Sequence, residues 1–332
     1  VGAASPARHP VIPHHPAAPI AAPPCLESTL STTTDFNQNV ITEFRANEGR
    51  VGGPFEGADL VLLTTTGARS GAQHTAPLVR LYDGDRTLVV ASAAGAPQHP
   101  AWYHNLLAHP TVTVETGTEQ YQAVAVPAEG AERDRLFALV CAQQPGYADY
   151  QERTDRVIPV VVLERVAYGA DGPPATDLAA KLVEIHTWLR GQVARVREEA
   201  DAHFAARAAA GDGAPPAPGL GLQIRQHCLA FCEGLHFHHT AEDGHLFPDL
   251  ERRHPELGEA IDRLRAEHVT VERIRGELVE LLADIGTADP ERFRDELDRL
   301  STELTAHLDY EEEQLIPVLA TIPFPPPAAD AS

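Results

Sequence analysis

The alternation of apolar and polar positions changes character about halfway along the chain. Before residue 168 the apolar stretches are short. Residues 58–66 form a compact apolar run ending in Thr-Thr-Thr-Gly, which reads as a buried strand leaving into a turn. Runs at 76–82 and 87–92 flank Asp83-Gly84-Asp85, a hairpin signal, and 111–116 pairs with 120–126 around Gly117. Residues 157–163 predict a last strand; 35–48, 100–108 and 131–143 predict helices. Many short strands with few helices point to a small barrel. After Gly172-Pro173-Pro174 the period becomes helical. Four long segments follow, at 177–209, 221–251, 256–285 and 290–319. They are broken by the Pro-rich stretch 211–219, by His254-Pro255 and by 287–290. Short connections between long helices predict an all-α antiparallel four-helix bundle. The expected fold class is α+β in two domains, a barrel over 35–168 and a bundle over 177–320 joined by a linker at 169–176. Residues 1–34, without periodicity, read as a disordered Pro/Ala-rich tail or as upstream sequence not made in the cell; 321–332 is a Pro-rich tail.

Composition narrows the function classes. A chain of 332 residues can bury two sizeable cores, and no apolar run approaches the roughly 18 residues of a membrane span. The net charge of −22 argues against nucleic acid and against an anionic membrane surface as partners. Residues 35–168 carry 16 acids and 10 bases, whereas 176–320 carry 29 acids and 15 bases. The four cysteines form no spaced disulfide framework, which points to a reducing, cytoplasmic compartment. Cys228 and Cys232, four apart on a predicted helix, read as buried small apolar residues. Lys181 is the only lysine and methionine is absent; Val1 reads as an alternative start codon taken literally, which N-terminal sequencing of the native protein would check.

The chemistry is concentrated in a repeat. His238-His239-Thr240-Ala241-Glu242-Asp243-Gly244-His245-Leu246-Phe247-Pro248 matches His307-Leu308-Asp309-Tyr310-Glu311-Glu312-Glu313-Gln314-Leu315-Ile316-Pro317, both His-x-x-x-Glu-acid-x-x-Leu-apolar-Pro. Four residues turn about 400° on a helix, so each His and Glu share one face. His186 and His268 place a histidine on each of the other two predicted helices. Buried carboxylates in a bundle core call for a cation, and this set suits a pair of metal ions. His227 lies on nearly the same face as His238 but about 16 Å along the axis, too far for the same ion. His245 and Gln314 read as neighbours of the site or surface residues; His203, His236 and His239 point off the ligand face.

These residues, over about 180–320, resemble the hemerythrin-like HHE cation-binding family. The resemblance implies a non-haem di-iron centre with two Fe ions that binds O2, peroxide or NO. It implies terminal roles for His186, His238, His268 and His307, and bridging roles for Glu242 and Glu311. Where blood-worm hemerythrins carry a second histidine on the third helix, this chain has Glu272: a fifth terminal ligand, a water-binding neighbour or a solvent-facing residue. Tyr310 and Glu312 are alternative donors for that place.

In the first half, Thr64-Thr65-Thr66-Gly67-Ala68-Arg69-Ser70-Gly71 is a polar turn that could hold a phosphate or carboxylate through backbone amides and Arg69, or be an ordinary loop. Together with Val90-Ala91-Ser92, Pro100-Ala101-Trp102-Tyr103-His104-Asn105-Leu106, Tyr147-Ala148-Asp149-Tyr150-Gln151 and Ile158-Pro159-Val160-Val161-Val162-Leu163 it resembles the deazaflavin-dependent nitroreductase family, over about 36–165. That resemblance implies a split β-barrel of FMN-binding type and coenzyme F420, an 8-hydroxy-5-deazaflavin whose reduced form gives hydride to quinone or nitro acceptors. It puts Arg69, Ser70 and His74 at the phosphate, and Ala91, Ser92, Trp102, Tyr103, Asn105 and Leu106 along the coenzyme. Tyr147 and Tyr150 border the substrate as catalytic candidates, or are half-buried packing residues. His74 stands where the family often has arginine, and Ala93 where it often has lysine.

The combined expectation is an F420-dependent oxidoreductase fused to a di-iron module, with a homodimer as a further expectation. The alternatives are an iron or O2 sensor or storage protein with an inactive barrel, and a barrel that takes FMN or haem.

Overall fold

The computed structural model describes residues 30–166, 175–210, 220–283 and 288–324. The expected tail before residue 30, most of the linker, the 211–219 connection and the segment after 324 lie outside the described residues. The first half holds α1 (Leu30–Ala46), β1 (Leu60–Thr66), β2 (Gln73–Val79), β3 (Leu81–Asp83), β4 (Arg86–Val90), α2 (Ala101–Ala108), β5 (Thr111–Glu115), β6 (Gln120–Pro127), α3 (Gly130–Gln143), α4 (Gly146–Glu152) and β7 (Val160–Arg165). All seven strands form one antiparallel sheet in the order β2-β1-β5-β6-β7-β4-β3. β2 also approaches β4, so the sheet curls into a half-barrel.

Period-two alternation assigns each strand's side chains to two cores. On β1, Val61 and Leu63 enter the inner core with Trp102 and Leu106, while Leu60 and Leu62 meet Val40, Ile41 and Phe44 of α1. On β7, Val161 and Leu163 face inward, and Val160 and Val162 pack under Leu136 and Val140 of α3. The predicted strand 76–82 is two strands, because Arg80 turns aside to Asp59 at 3.0 Å. The short helix α4 has no counterpart among the predicted elements.

The second half is helical: α5 (Leu178–Ala210), α6 (Leu220–Ala241), a π-helical turn (Glu242–Leu246), α7 (Phe247–Arg253), α8 (Gly258–Leu282) and α9 (Pro290–Leu319). The π turn joins α6 to α7, so 220–253 is one continuous rod. Pro248 lacks the amide that would bond back to Gly244, which favours the wider turn there. α5 packs on α6 and α9, and α8 on α6 and α9. The interior has two apolar clusters. One contains Leu189, Phe231, Leu278 and Leu300; the other contains Leu182, Phe247, Leu264 and Leu315. Cys228 and Cys232 are free thiols buried in the first, as expected. Among the described residues no helix is long and apolar enough to cross a membrane.

Candidate functional site

Between the two apolar clusters lies a polar layer. Along α5, α6, α8 and α9 the apolar clusters are interrupted where His186, His238 with Glu242, His268, and His307 with Glu311 stand. All six side chains are buried. His186 Nε2 is 3.1 Å from His238 Nε2 and 3.4 Å from Glu311 Oε2. The same Glu311 oxygen is 3.7 Å from His307 Nε2 and 4.0 Å from His238 Nε2. Glu242 lies 3.2 Å from His238 Nδ1 and 3.6 Å from His268 Nε2. Each carboxyl group thus faces imidazoles of both sides of the layer.

Outer carboxylates orient three of the rings. His186 Nδ1 meets Glu312 at 2.8 Å, His268 Nδ1 meets Asp243 at 3.1 Å, and His307 Nδ1 meets Glu267 at 3.0 Å. A carboxylate accepts, so Nδ1 carries the proton and Nε2 turns a lone pair inward. Arg190 in turn holds Glu312 at 2.7 Å. Neither oxygen of Glu242 or Glu311, nor Nε2 of His268 or His307, has a hydrogen-bond partner.

Burial pushes His238 down to about 3, and burial with the adjacent Glu311 holds the Glu242 carboxyl well above the usual range. Burial also opposes charge on Glu311, but His186 and His238 outweigh it and bring that carboxyl down to about 2. Buried imidazoles and two buried acid groups with unpaired atoms are costly alone and are the donor chemistry of a metal centre. The residues fit a bound cation pair.

Two expectations need correction. Glu272 is not in the layer: Arg275 holds it, and His236 lies 3.4 Å away at the surface. His239 does not point off the site. It is 5 % exposed, and its donor atoms lie within 4.8 Å of those of His268 and His307. Tyr310 lies under the Arg263 guanidinium rather than in the layer, and His245 is exposed. A cavity of about 850 Å³ reaches His238 and Glu242 from the gap between α5 and α6, past Leu182, Ile185 and Trp188. Gly234 lets the indole lie against α6; a Cβ there would sit 2.8 Å from Trp188.

In the first half the turn after β1 is closed by Gly67 N donating to Ala72 O at 2.7 Å and Gly71 N donating to Gly67 O at 2.8 Å. A Cβ on Gly67 would lie 2.5 Å from Ser70 Oγ, 3.1 Å from His74 Nε2 and 3.2 Å from Ala72 O, so a side chain there would push both neighbouring side chains aside. Arg69, Ser70 and His74 are exposed on it. Asn105 on α2 ties the turn to the sheet: Oδ1 accepts from Ala68 N and Nδ2 donates to Thr65 Oγ1, both at 3.1 Å. Trp102 and Leu106 are buried in the inner core with Ala91, and Tyr103 is half-buried, its hydroxyl pushed up to about 12 by burial.

Arg156 was missed by sequence reasoning. Its guanidinium donates to Ser92 O at 2.6 Å, Ala96 O at 2.8 Å and Ala91 O at 3.1 Å, and lies 3.0 Å from His99 Nδ1. It holds a loop in which Ala93 (φ 46°), Ala94 (φ 52°) and Gly95 (φ 83°) are all left-handed. That loop rests on α4, where a Cβ on Gly95 would lie 2.9 Å from Tyr150 O. Tyr147 and Tyr150 meet edge to face at 5.8 Å and pack on the α3 core; burial raises the Tyr147 phenol, which keeps its proton. Gln151 and Arg133 brace the Arg156 segment, Gln151 Nε2 donating to Arg156 O at 2.8 Å and Arg133 to Ile158 O at 2.7 Å.

The halves meet through α6. Gln226 Nε2 donates to Leu106 O at 2.8 Å and Ala125 O at 3.0 Å, and Arg225 donates to Leu107 O at 2.6 Å. Buried His227 sits between Glu199, at 2.8 Å, and Glu164 of β7, at 3.2 Å; Arg195 pairs with both acids. Burial would lower His227, but the two carboxylates raise it; burial likewise opposes charge on Glu164 and Glu199, and His227 brings both down. The imidazole's contribution is complete below its unfolded 6.5 and fades as pH climbs through the raised folded value. The acids contribute above their unfolded 4.5 and lose it as pH falls through the lowered folded values. The contact is therefore firmest between these limits. His227→Ala is expected to cost about 3 kcal/mol, the low end for a broken buried pair because Arg195 remains. Thermal unfolding at pH 6 and pH 9 checks this: the wild type loses stability at the higher pH and the variant loses little more.

Comparisons with known proteins agree with this division. Residues 37–165 match the family described as F420H(2)-dependent quinone reductase, and 177–319 match the hemerythrin HHE cation binding domain. An F420H(2)-dependent quinone reductase of Mycobacterium tuberculosis (strain H37Rv) is 41% identical over 126 residues, 37% of this chain and 85% of the relative. A putative quinone reductase of the same name from that strain is 34% identical over 103 residues, 31% of this chain and 87% of the relative. A solved F420-H2 dependent reductase is 43% identical and covers 32% of this chain and 94% of its own, at a TM-score of 0.30. The chain therefore belongs, through residues 37–165, to the F420H(2)-dependent quinone reductase family, and carries a hemerythrin HHE domain over 177–319.

Proposed function

We propose that the protein is a two-domain redox enzyme, with a deazaflavin-dependent reductase over 35–168 and a di-iron module over 177–320. The observation that carries it is the presence, in one chain, of a reductase-family sheet and a buried layer of imidazoles and carboxyls whose inward atoms are unpaired. The first domain is a split β-barrel and the second an antiparallel four-helix bundle. Reduced F420, when bound, supplies a hydride to a quinone or nitro acceptor. Arg69, Ser70 and His74 on the closed turn receive its phosphate, and the amide of Asn105 keeps that turn in place. Ala91, Ser92, Trp102, Tyr103 and Leu106 line the coenzyme, with Arg156 fixing the 91–96 carbonyls behind it. Tyr147, protonated throughout the neutral range, donates a hydrogen bond to the acceptor oxygen, and Tyr150 orients it.

In the second domain His186, His238, His268 and His307 would hold the iron through imidazole nitrogens, with Glu242 and Glu311 as carboxylate donors. Iron, when bound, supplies affinity for O2, peroxide or NO. The cavity beside His238 and Glu242 gives such a ligand its way in. The test adds reduced F420 and menadione to the full-length protein without oxygen, alongside an iron assay. Coenzyme oxidation that requires menadione is expected. An iron-loaded protein that leaves the coenzyme reduced would favour the sensor or storage alternative.

A further inference from the structure

We propose that His239 is a metal donor, the fifth imidazole of the centre, completing a three-histidine set with His268 and His307. This deepens the di-iron reading and rests on it. The His239 ring stacks on His268 at 4.0 Å between centroids with a 16° tilt, and stands edge-on to His307 at 5.2 Å. The donor atoms of the three rings lie within 4.8 Å of one another.

The chemistry of the ring supports the same role. His239 is buried, and neither of its ring nitrogens has a hydrogen-bond partner. His186, His268 and His307 each spend Nδ1 on an outer carboxylate and turn Nε2 inward. An unsatisfied buried imidazole is destabilising, and a cation satisfies it.

Helix geometry explains how two adjacent residues serve one centre. Successive side chains on a helix diverge by about 100°. α6 packs on both α5 and α8. His238 meets His186 of α5 at 5.0 Å between ring centroids, while His239 meets His268 of α8. The divergence of the pair matches the two neighbours of the rod. Glu272, the donor expected by family position, is held at the surface by Arg275. α6 thus supplies from the side what the third helix does not.

The test loads full-length wild type, His239→Ala and Glu272→Ala with ferrous ammonium sulfate without oxygen, desalts them and measures iron per chain and the absorption spectrum. Wild type and Glu272→Ala are expected to retain two ions. His239→Ala is expected to fall toward one, with an altered near-ultraviolet spectrum, and added imidazole to restore the second ion and the spectrum. Far-ultraviolet circular dichroism checks folding, and His239→Gln supplies a second variant of similar bulk. Retention of two ions by both His239 variants with an unchanged spectrum would overturn the proposal alone. A folded wild type that retains no iron would overturn the di-iron reading with it.

Discussion

Glu311→Ala is expected to leave the helical half unable to retain iron. Glu311 is fully buried, and one of its oxygens lies 3.4 Å from His186, 3.7 Å from His307 and 4.0 Å from His238. Among the described residues no other carboxyl group lies that near three of the imidazoles. Losing an orienting partner beyond the donors typically weakens a metal about 10–100-fold, so losing the shared donor should exceed about 100-fold. Metal binding to the folded chain alone raises stability, so the variant should also lose most of the gap in melting temperature between iron-loaded and iron-free protein. Iron content after gel filtration and paired melting curves check both. The gap is read within each protein, because removing Glu311 leaves His186, His238 and His307 without their shared carboxylate and lowers the metal-free melt as well. A variant that keeps both ions and the full gap would refute the ligand assignment.

Arg156→Ala is expected to damage the reductase half and leave iron content unchanged. Three carbonyl oxygens of the 91–96 loop lose a charged donor at once. Each hydrogen bond to a charged group contributes about 1.5–3 kcal/mol. The loop also holds two alanines at positive φ, a conformation that relaxes when its restraint goes. Loss of one such bond's worth of order alone corresponds to about a tenfold change in affinity. The KM for reduced F420 should therefore rise by about tenfold or more. Arg156→Lys should recover little, since one ammonium cannot span three carbonyls in a fixed fork. Coenzyme titration and steady-state kinetics, with iron as an internal control, measure it.

The buried layer of histidines and carboxyls was more legible in the sequence than the 91–96 loop, for a physical reason. A His-x-x-x-Glu pair fixes its own geometry on a helix, so His238 with Glu242 and His307 with Glu311 carry their arrangement locally. His186 and His268 followed because each remaining helix owed the layer a donor. His239 was misread because a single helix puts it about 100° from His238; only the packing of α6 against both α5 and α8 turns both rings inward. Glu272 was offered because spacing cannot show that Arg275, three residues on, draws it away. Arg156 lies 60 residues from Ala96, its furthest loop contact toward the C-terminus, and nothing local announces it. The strand pattern was clear where alternation was clean, as on β1 and β7, and failed at Arg80, where one charged residue divides an apolar run into β2 and β3.

The seam along α6 makes the two halves poor candidates for separation. Gln226 and Arg225 bond the last carbonyls of α2, and Ala230 packs against Val124 and Val126 of β6. Severing the chain at residue 175 would leave those oxygens to water and expose two valines on a sheet face. The helix that bears His238 and His239 would lose its anchorage at the opposite end. The two halves of this chain are therefore expected to melt lower apart than joined, the Gln226 bonds and the apolar contact at Ala230 being lost together.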